Sequence, residues 1–365
     1  MKLKKIALTG FRNYEWETVD FEGGINIISG LNAQGKTNLL EAVYMLSCGR
    51  SFRTRFDKEL INFDYSAAEI LADIESQGRE QTISIALKSG CPKKILVNGV
   101  KKTVSELAGT VNTVLFCPDD LDLIKEGASV RRKLLDEAIS QIRPQYAETL
   151  AEFNRLFEHK TRILKDWREK PSLLDTLDEF SEGLCRCSAK LIRYRAAYAK
   201  KMNECAALIH SEFSSGENLE IQYRTVSTVS DPFASVKDIY YEILEHQEAH
   251  RRAEIESEQC LTGAHKDDLE ININGSAARS FASQGQTRTA ALSIKLAERD
   301  ILLNETGEYP ILLLDDVLSE LDTKRREFVL NRIGGGQTII SCCEDEEISQ
   351  RTNGKVFFVE KGRIR

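Results

Sequence analysis

The sequence predicts an α/β fold interrupted by a mainly helical insert, and three observations carry that prediction. Both ends of the 365-residue chain are built from short apolar, strand-like runs punctuated by glycine. From about Pro118 to the mid-250s the character changes to long charged helical stretches. Between a strand and a helix near the start lies "GLNAQGKT", residues 30–37.

Taken in order, "KLKKIALTGF" and "TVDFEGGINIISG" alternate as strands do, with Gly23 and Gly24 marking a turn. In "TNLLEAVYMLSCG" the period changes: Leu39, Val43 and Leu46 fall on one helical face, and Gly49 is placed to end the helix. The runs "ILADIES", "TISIALK" and "KKILVNGVKK" read as further strands, and Asn98-Gly99 is a strong hairpin signal. The helical stretch is broken at Pro144, Pro171, "SSGEN" and Asp231-Pro232. After it, "YPILLLDDVLSELD" holds a fully apolar strand ending in two aspartates, and "GGGQTIISCC" is a strand introduced by glycines. These shifts place a head at 1–115 and 262–365 and a mainly helical insert at 116–261. No internal repeat is visible.

Composition narrows the class. With 41% hydrophobic and 29% charged residues the chain is an ordinary globular one. No apolar run approaches bilayer length, and the start lacks the apolar core of a secretion signal, so a soluble cytoplasmic protein is expected. Nine scattered cysteines without a CxxC pair disfavour disulfide and zinc frameworks. A net charge of −7 and a pI near 5.5 confine any nucleic-acid binding to local patches. One such patch is "RCSAKLIRYRAAYAKK", where Arg186, Lys190, Arg193 and Lys200 share one helical face, with no acid between Glu182 and Glu204. It reads either as a solvated face or as a stripe tracking DNA phosphates, each of which adds about 0.9 to the salt slope of duplex binding. Tyr194 and Tyr198, four apart, could stack bases, but tyrosines so placed are more often packing residues.

The chemistry is concentrated in three strings. "GLNAQGKT" fits G-x-x-x-x-G-K-[ST] in the strand-to-helix context the motif requires. Gly30, Leu31, Asn32, Ala33, Gln34 and Gly35 form a loop whose N–H groups suit phosphate oxygens. Lys36 reaches the β and γ phosphates of ATP, and the Thr37 hydroxyl suits Mg2+. Asp315, at the end of a buried strand, is placed to hold the same metal, and Asp316 to orient or deprotonate a water. The third string, "SQGQ" at Ser283, Gln284, Gly285 and Gln286, opens a helix and has no chemistry in its own neighbourhood.

A phosphate loop, a serine-glycine-glutamine string, an apolar strand with two acids and a following "SELD" occur in this order in ABC-type ATPases. More specifically, the chain resembles the RecF family of bacterial recombination and replication-repair proteins from end to end. "LTGFRNY", "GLNAQGKTNLLEAVYMLSCGRSFR", "LFCPDDLDLIKEGASVRRKLLD", "GAHKDDL", "SQGQTRTAALSIKLAE" and "ILLLDDVLSELD" carry the resemblance. It implies an ABC-type, SMC-like ATPase head with a second helical lobe, ATP-dependent homodimerisation on single-stranded, gapped or junction DNA, and weak, slow ATP hydrolysis. It further implies recombinase loading with RecR and RecO and induction of the SOS response. Ser283, Gly285 and Gln286 would then cap the γ-phosphate held by a partner copy, with Arg288 and Asp322 near the dimer seam and Arg12 near the nucleotide.

Three departures stand out: Ala264 and Lys266 within "GAHKDDL", the absence of a histidine closing "TIISCC", and Asp316 where the wider class has glutamate. The alternatives are a transporter energy-coupling subunit, an SMC-type bridging ATPase and a metabolite kinase. The long insert between phosphate loop and signature opposes the first. An insert too short for a long arm opposes the second, and the third needs an acceptor pocket.

Overall fold

Two kinds of sheet meet around one helix in the unit formed by the two ends of the chain. The structure, a computed structural model, describes residues 1–214, 216–225, 229–343 and 352–365. These divide into two units, Met1–Asp122 with Arg288–Arg365, and Leu123–Thr287.

In the first unit, β1 (Lys2–Phe11) and β2 (Tyr14–Asp20) form a hairpin. β3 (Ile25–Ser29) leads through the phosphate loop into α1 (Lys36–Cys48). β4 (Ala67–Ser76), β5 (Arg79–Lys88), β6 (Lys94–Val97) and β7 (Val100–Lys102) complete an antiparallel sheet of order β2-β1-β4-β5-β6-β7. The alternating burial of β4 and β5 is the period-2 pattern of a sheet with one face on a core. A short α2 (Val104–Leu107), closed by a Thr103/Glu106 capping box, precedes β8 (Thr113–Phe116).

In the second unit α3 (Ala128–Ile142), α4 (Pro144–Asp166) and α5 (Leu177–Phe213) pack as helices, α4 starting on the proline that breaks α3 from it. They are followed by β9 (Leu219–Arg224), α6 (Val236–Ser257), β10 (Asp268–Ile273), β11 (Ser276–Ala277) and α7 (Ala278–Phe281). Among the described residues β9, β10 and β11 form a three-stranded sheet, so the insert is not purely helical. The division also falls later than the sequence boundary: residues 262–287, placed in the head by pattern, cluster with the second unit. β10 is the reason, since each residue from Asp268 to Ile273 takes its partner from β9.

α8 (Gln284–Thr306) carries the chain back. β12 (Ile311–Asp315), α9 (Thr323–Arg332), β13 (Thr338–Cys342), β14 (Lys355–Glu360) and β15 (Arg363–Ile364) follow. They complete a second sheet of order β15-β14-β3-β13-β12-β8, parallel from β14 to β8. Such a sheet is covered on both faces, and β12 and β13 are accordingly buried at every residue.

α1 is not the one-faced amphipath its spacing predicts. Every residue from Leu39 to Ser47 is buried, including Glu41. Residues of both sheets and of α1 share a single core, from Ile6, Ile70 and Ile85 through Leu40 and Val43 to Leu313 and Ile339. A helix enclosed between two sheets loses its polar face.

The second unit has a charged interior. Arg195, 2% exposed in the middle of α5, donates to both oxygens of Asp136 (2.9 and 3.0 Å) and to the Ala264 carbonyl (2.7 Å). Arg131 makes a bidentate pair with Asp268 (2.8 and 2.9 Å), and Tyr223 donates to Asp267. Lys160 and Glu254, both fully buried, pair at 2.7 Å. The strings "VRRKLLD" and "GAHKDDL" therefore meet in one ion network, paired directly through Arg131 and Asp268 and bridged by Arg195 of α5. Charges so placed must be paired, because removing one partner leaves an uncompensated buried ion.

Candidate nucleotide site

Strand register assembles the site. In the parallel sheet Ser29 lies opposite Cys342, and Asp315 lies opposite Ser341, so β3, β12 and β13 end along one row. That edge, at the carboxyl ends of parallel strands, is where α/β sheets bind ligands.

The loop from Gly30 to Gly35 needs its glycines. Gly30 has φ 154°, and a Cβ there would lie 2.4 Å from the Val359 carbonyl oxygen of β14. Gly35 has φ 122°, and a Cβ would lie 2.7 Å from the Asn13 side chain. The chain is thus pressed between β14 on one side and the β1–β2 turn on the other. Asn13 donates to the Gln34 carbonyl (2.8 Å), Tyr14 to the Gly35 carbonyl (2.9 Å), and the Gly362 N–H to Gln34 O (3.1 Å). With their carbonyls taken up in this way, the loop N–H groups and the N-terminus of α1 are left for an anion.

Lys36 is 4% exposed, and its ammonium donates to the carbonyls of Gly30 (2.8 Å) and Leu31 (3.2 Å) and to the Cys343 sulfur (3.4 Å). The Cys343 thiol in turn donates to Asn32 Oδ1 (3.0 Å). Thr37 donates to Asp315 Oδ1 at 3.0 Å, and Ser341 donates to the same oxygen at 2.7 Å. Burial pushes the Asp315 carboxyl above its ordinary range, an effect those two hydrogen bonds oppose. Ser341 also accepts from the Asp316 N–H (2.9 Å), so one hydroxyl fixes the geometry of both acids. Asp316 adopts φ 50°, a left-handed conformation that Asp tolerates better than most residues, and it starts the short turn Val317–Glu320.

The other expected residues have definite places. Ser283 is the N-cap of α8: its hydroxyl accepts from Gln286 N–H (3.2 Å), and the Gln286 side chain accepts from Ser283 N–H (2.9 Å). This is a capping box with glutamine at the third position. Gln286 also donates to Glu217 (2.8 Å), whereas Ser283 is exposed and its own proton is not needed for the cap. Asp322 caps α9, accepting from Arg325 N–H (3.0 Å), which with the Arg325 guanidinium holds its carboxyl below the usual range. Arg288 donates to the Glu320 carbonyl (3.0 Å). Arg12 does not reach for the loop: its guanidinium is held by Glu41 (2.8 and 2.7 Å) and the Glu59 carbonyl (3.0 Å).

On α5, Lys190 and Lys200 are exposed, Arg193 is half-buried, and Arg186 pairs with Glu182 at 2.9 Å. Tyr198 is buried and Tyr194 packs edge-on against Tyr146, so both are packing residues. All nine cysteines are free thiols, and no cluster of metal-binding side chains occurs among the described residues. No helix among them is long and apolar enough to cross a membrane.

Residues that pattern reading left without a role are Asn13, Tyr14, Ser341 and Cys343. "LTGFRNY" and "TIISCC" contain them, but only the fold brings those strings to the loop.

The chain matches the family model described as RecF/RecN/SMC N terminal domain over residues 2–365. It is 39% identical over 369 residues to the DNA replication and repair protein RecF of Acetivibrio thermocellus, covering 100% of this chain and 99% of that protein. The RecF of Clostridium kluyveri is also 39% identical, over 368 residues, with 100% and 99% covered. A solved structure of the recombination mediator protein RecF-ATPrS in the RecFOR pathway superposes with a TM-score of 0.92 at 36% identity, covering 100% of this chain and 97% of that one. An Smc head domain from Pyrococcus furiosus, at 17% identity and a TM-score of 0.57 over 100% of this chain and 95% of its own, shares the fold alone. The chain belongs to the RecF family of DNA replication and repair proteins, within the RecF/RecN/SMC group.

Proposed function

We propose that this protein is an ATP-controlled DNA-binding switch of recombinational repair and replication restart, a weak ATPase whose nucleotide state sets its grip on DNA. The observation that carries the reading is the Thr37–Asp315 contact at 3.0 Å beside a loop whose glycines admit no side chain.

The residues fit both ATP and magnesium. A Cβ at Gly30 or Gly35 would collide with the wall behind the loop, so only glycine lets it curl this tightly, and Thr37 and Asp315 offer the hard oxygen donors that Mg2+ takes. Magnesium, when bound, neutralises charge on the β and γ phosphates. The loop N–H groups and Lys36 bind and orient the phosphates, and Asp316 holds or accepts the proton of a water in line with them. Asp316 is one methylene shorter than glutamate, in keeping with slow turnover.

Ser283, Gly285 and Gln286 complete the site from a second copy of the chain. A helix N-terminus with an exposed hydroxyl suits a γ-phosphate held by another molecule. Two copies closing on two nucleotides would bring DNA to the α5 stripe, where Lys190, Arg193 and Lys200 with Arg186 would meet phosphates. The solved RecF structure above is described within the RecFOR pathway. RecR and RecO are accordingly the expected partners, gapped or single-stranded DNA the substrate, and the cytoplasm the place of action.

Light scattering with and without ATP and Mg2+ tests the reading. The expected result is a monomer that becomes a dimer with ATP and binds DNA more tightly. A monomer under every nucleotide condition would overturn it.

A further inference from the structure

The basic face of α5 is not isolated: the segment leading into α6 lays aromatic side chains against it. Phe233, 46% exposed, lies under the Arg193 guanidinium at 5.9 Å from the ring centroid. At the start of α6, the Lys237 ammonium lies 5.9 Å from the centre of the Tyr241 ring, which is 55% exposed. Tyr241 in turn meets Tyr240 at 5.3 Å, and Tyr240 donates to Glu182, the partner of Arg186. The interleaving joins α5 to α6.

Single exposed aromatics are ordinary. The distribution of partners is what sets this surface apart. Glu182 is taken by Arg186 and Tyr240, Glu242 accepts from both Ser230 N–H and Ser230 Oγ, Asp238 accepts from Ser235, and Asp231 accepts from Phe233 N–H. Lys190, Arg193, Lys200 and Lys237, by contrast, have no carboxylate within ion-pair distance among the described residues. Of these acids only Glu182 is offset by a cation, whereas the cations on α5 and Lys237 stand unpaired beside two half-exposed rings.

A ligand that matches must be polyanionic and must carry flat apolar faces at short intervals. Single-stranded nucleic acid meets both requirements. Duplex meets only the first, because its base faces are already stacked on one another. We infer that Phe233 and Tyr241, with Arg193 and Lys237 over their rings, form a base-stacking platform that selects single-stranded DNA, while Lys190 and Lys200 track its backbone. The inference rests on the DNA-binding reading of the α5 stripe.

Stacking and phosphate neutralisation separate by salt dependence. Fluorescence anisotropy of a labelled 30-nucleotide oligo-dT and of a 30-base-pair duplex, titrated with ATP and Mg2+ from 50 to 300 mM salt, reads both (about 0.7 of slope per phosphate on single strands). Phe233→Ala/Tyr241→Ala is expected to weaken oligo-dT binding on the order of tenfold per ring, with the salt slope unchanged and duplex binding unaffected. Lys190→Ala/Lys200→Ala is expected to lower the slope by about 1.4. Phe233→Trp/Tyr241→Trp should restore affinity and show indole quenching when oligo-dT binds, which also establishes that the site tolerates exchange. Equal loss on oligo-dT and duplex, or no loss on either, would overturn the platform. Competition by polyglutamate as strong as by oligo-dT would make it an acidic-protein site and overturn it too. Wild-type protein that binds neither DNA would instead overturn the DNA-binding reading itself.

Discussion

The hydroxyl of Thr37 donates to Asp315 across 3.0 Å, tying the first turn of α1 to the end of β12, and Ser341 holds the same carboxylate oxygen from β13. Three segments distant in sequence therefore fix one donor set. Thr37→Val keeps the shape and removes the hydroxyl. The expected result, read by titration of a fluorescent ATP analogue, is loss of the gain in affinity that Mg2+ confers. Ser341→Ala should weaken that gain on the order of 10- to 100-fold, as removal of groups that orient metal ligands does. Unchanged Mg2+ dependence in both variants would place the metal elsewhere.

Asp316 tests hydrolysis apart from binding. Its φ of 50° is one that Asn accepts at least as readily, so Asp316→Asn changes the charge without straining the backbone. ATP binding and ATP-dependent assembly should persist, while phosphate release falls about 100-fold or more. Turnover at the wild-type rate would remove Asp316 from the chemistry.

The cap that Ser283 forms and the phosphate contact proposed for it can be separated. As a helix cap it can be replaced by Asp at almost no cost in stability, since both cap well, whereas Ala costs about 1 kcal/mol. As a contact to a partner's γ-phosphate it cannot, because Asp brings a negative charge to an anion. Ser283→Asp should therefore melt within a few degrees of wild type and bind ATP, yet stay monomeric. Ser283→Arg should likewise bind ATP and fail to dimerise or hydrolyse. Dimerisation of the Asp variant would reduce Ser283 to a cap alone.

Cys343 and Cys91 are the exposed thiols, and only Cys343 touches the phosphate loop, 3.4 Å from Lys36 and 3.0 Å from Asn32. Alkylation with iodoacetamide, followed by peptide mass mapping, should label both. ATP with Mg2+ should slow labelling of Cys343 and leave Cys91 unchanged. Cys343→Ser should keep nucleotide binding and lose its sensitivity to the reagent.

His265 provides a pH dependence with a definite sign. Burial, with Lys266, Arg132 and Lys160 nearby, lowers its pKa to about 4, against the hydrogen bond to the Cys260 carbonyl. The unfolded chain then binds more protons than the folded one between about pH 6.5 and 4, so stability falls as pH falls through that window. Between pH 7 and 5 this amounts to about 2 kcal/mol at ~1.4 kcal/mol per unit. His265→Gln should flatten the dependence of the urea midpoint on pH, and an equal slope in the variant would assign it to other groups.

What the sequence disclosed depended on locality. The phosphate loop was legible because its glycines, Lys36 and Thr37 occupy one short string, and the pair Asp315-Asp316 because it ends an apolar strand. The capping role of Ser283 and Gln286 was latent in their three-residue spacing, the S-x-x-Q form of a capping box. Ser341, Cys343 and Asn13 were not legible, since nothing local distinguishes them and only strand register brings them to the loop. The one-faced helix predicted for α1 failed for a related reason: a second sheet covers the face that spacing left polar. The second boundary moved because a strand pairing of β9 with β10 overrides a change in composition. Arg195 hid within the basic stripe, where its charge looked like that of its exposed neighbours.

The wall behind Gly30 has a consequence for how the molecule is made. The loop begins at residue 30, but Val359 closes it from one side, and the N–H groups of Lys361 and Gly362 hold Gln34. β3 itself pairs with β13 on one side and β14 on the other. While the ribosome is still adding residues, the early strands and α1 are present without these partners, and contacts of such separation in sequence form last. A chain under synthesis therefore carries the whole phosphate-loop sequence for hundreds of residues without a nucleotide site. Capture of ATP is therefore expected only in chains long enough to have β13 and β14 in place.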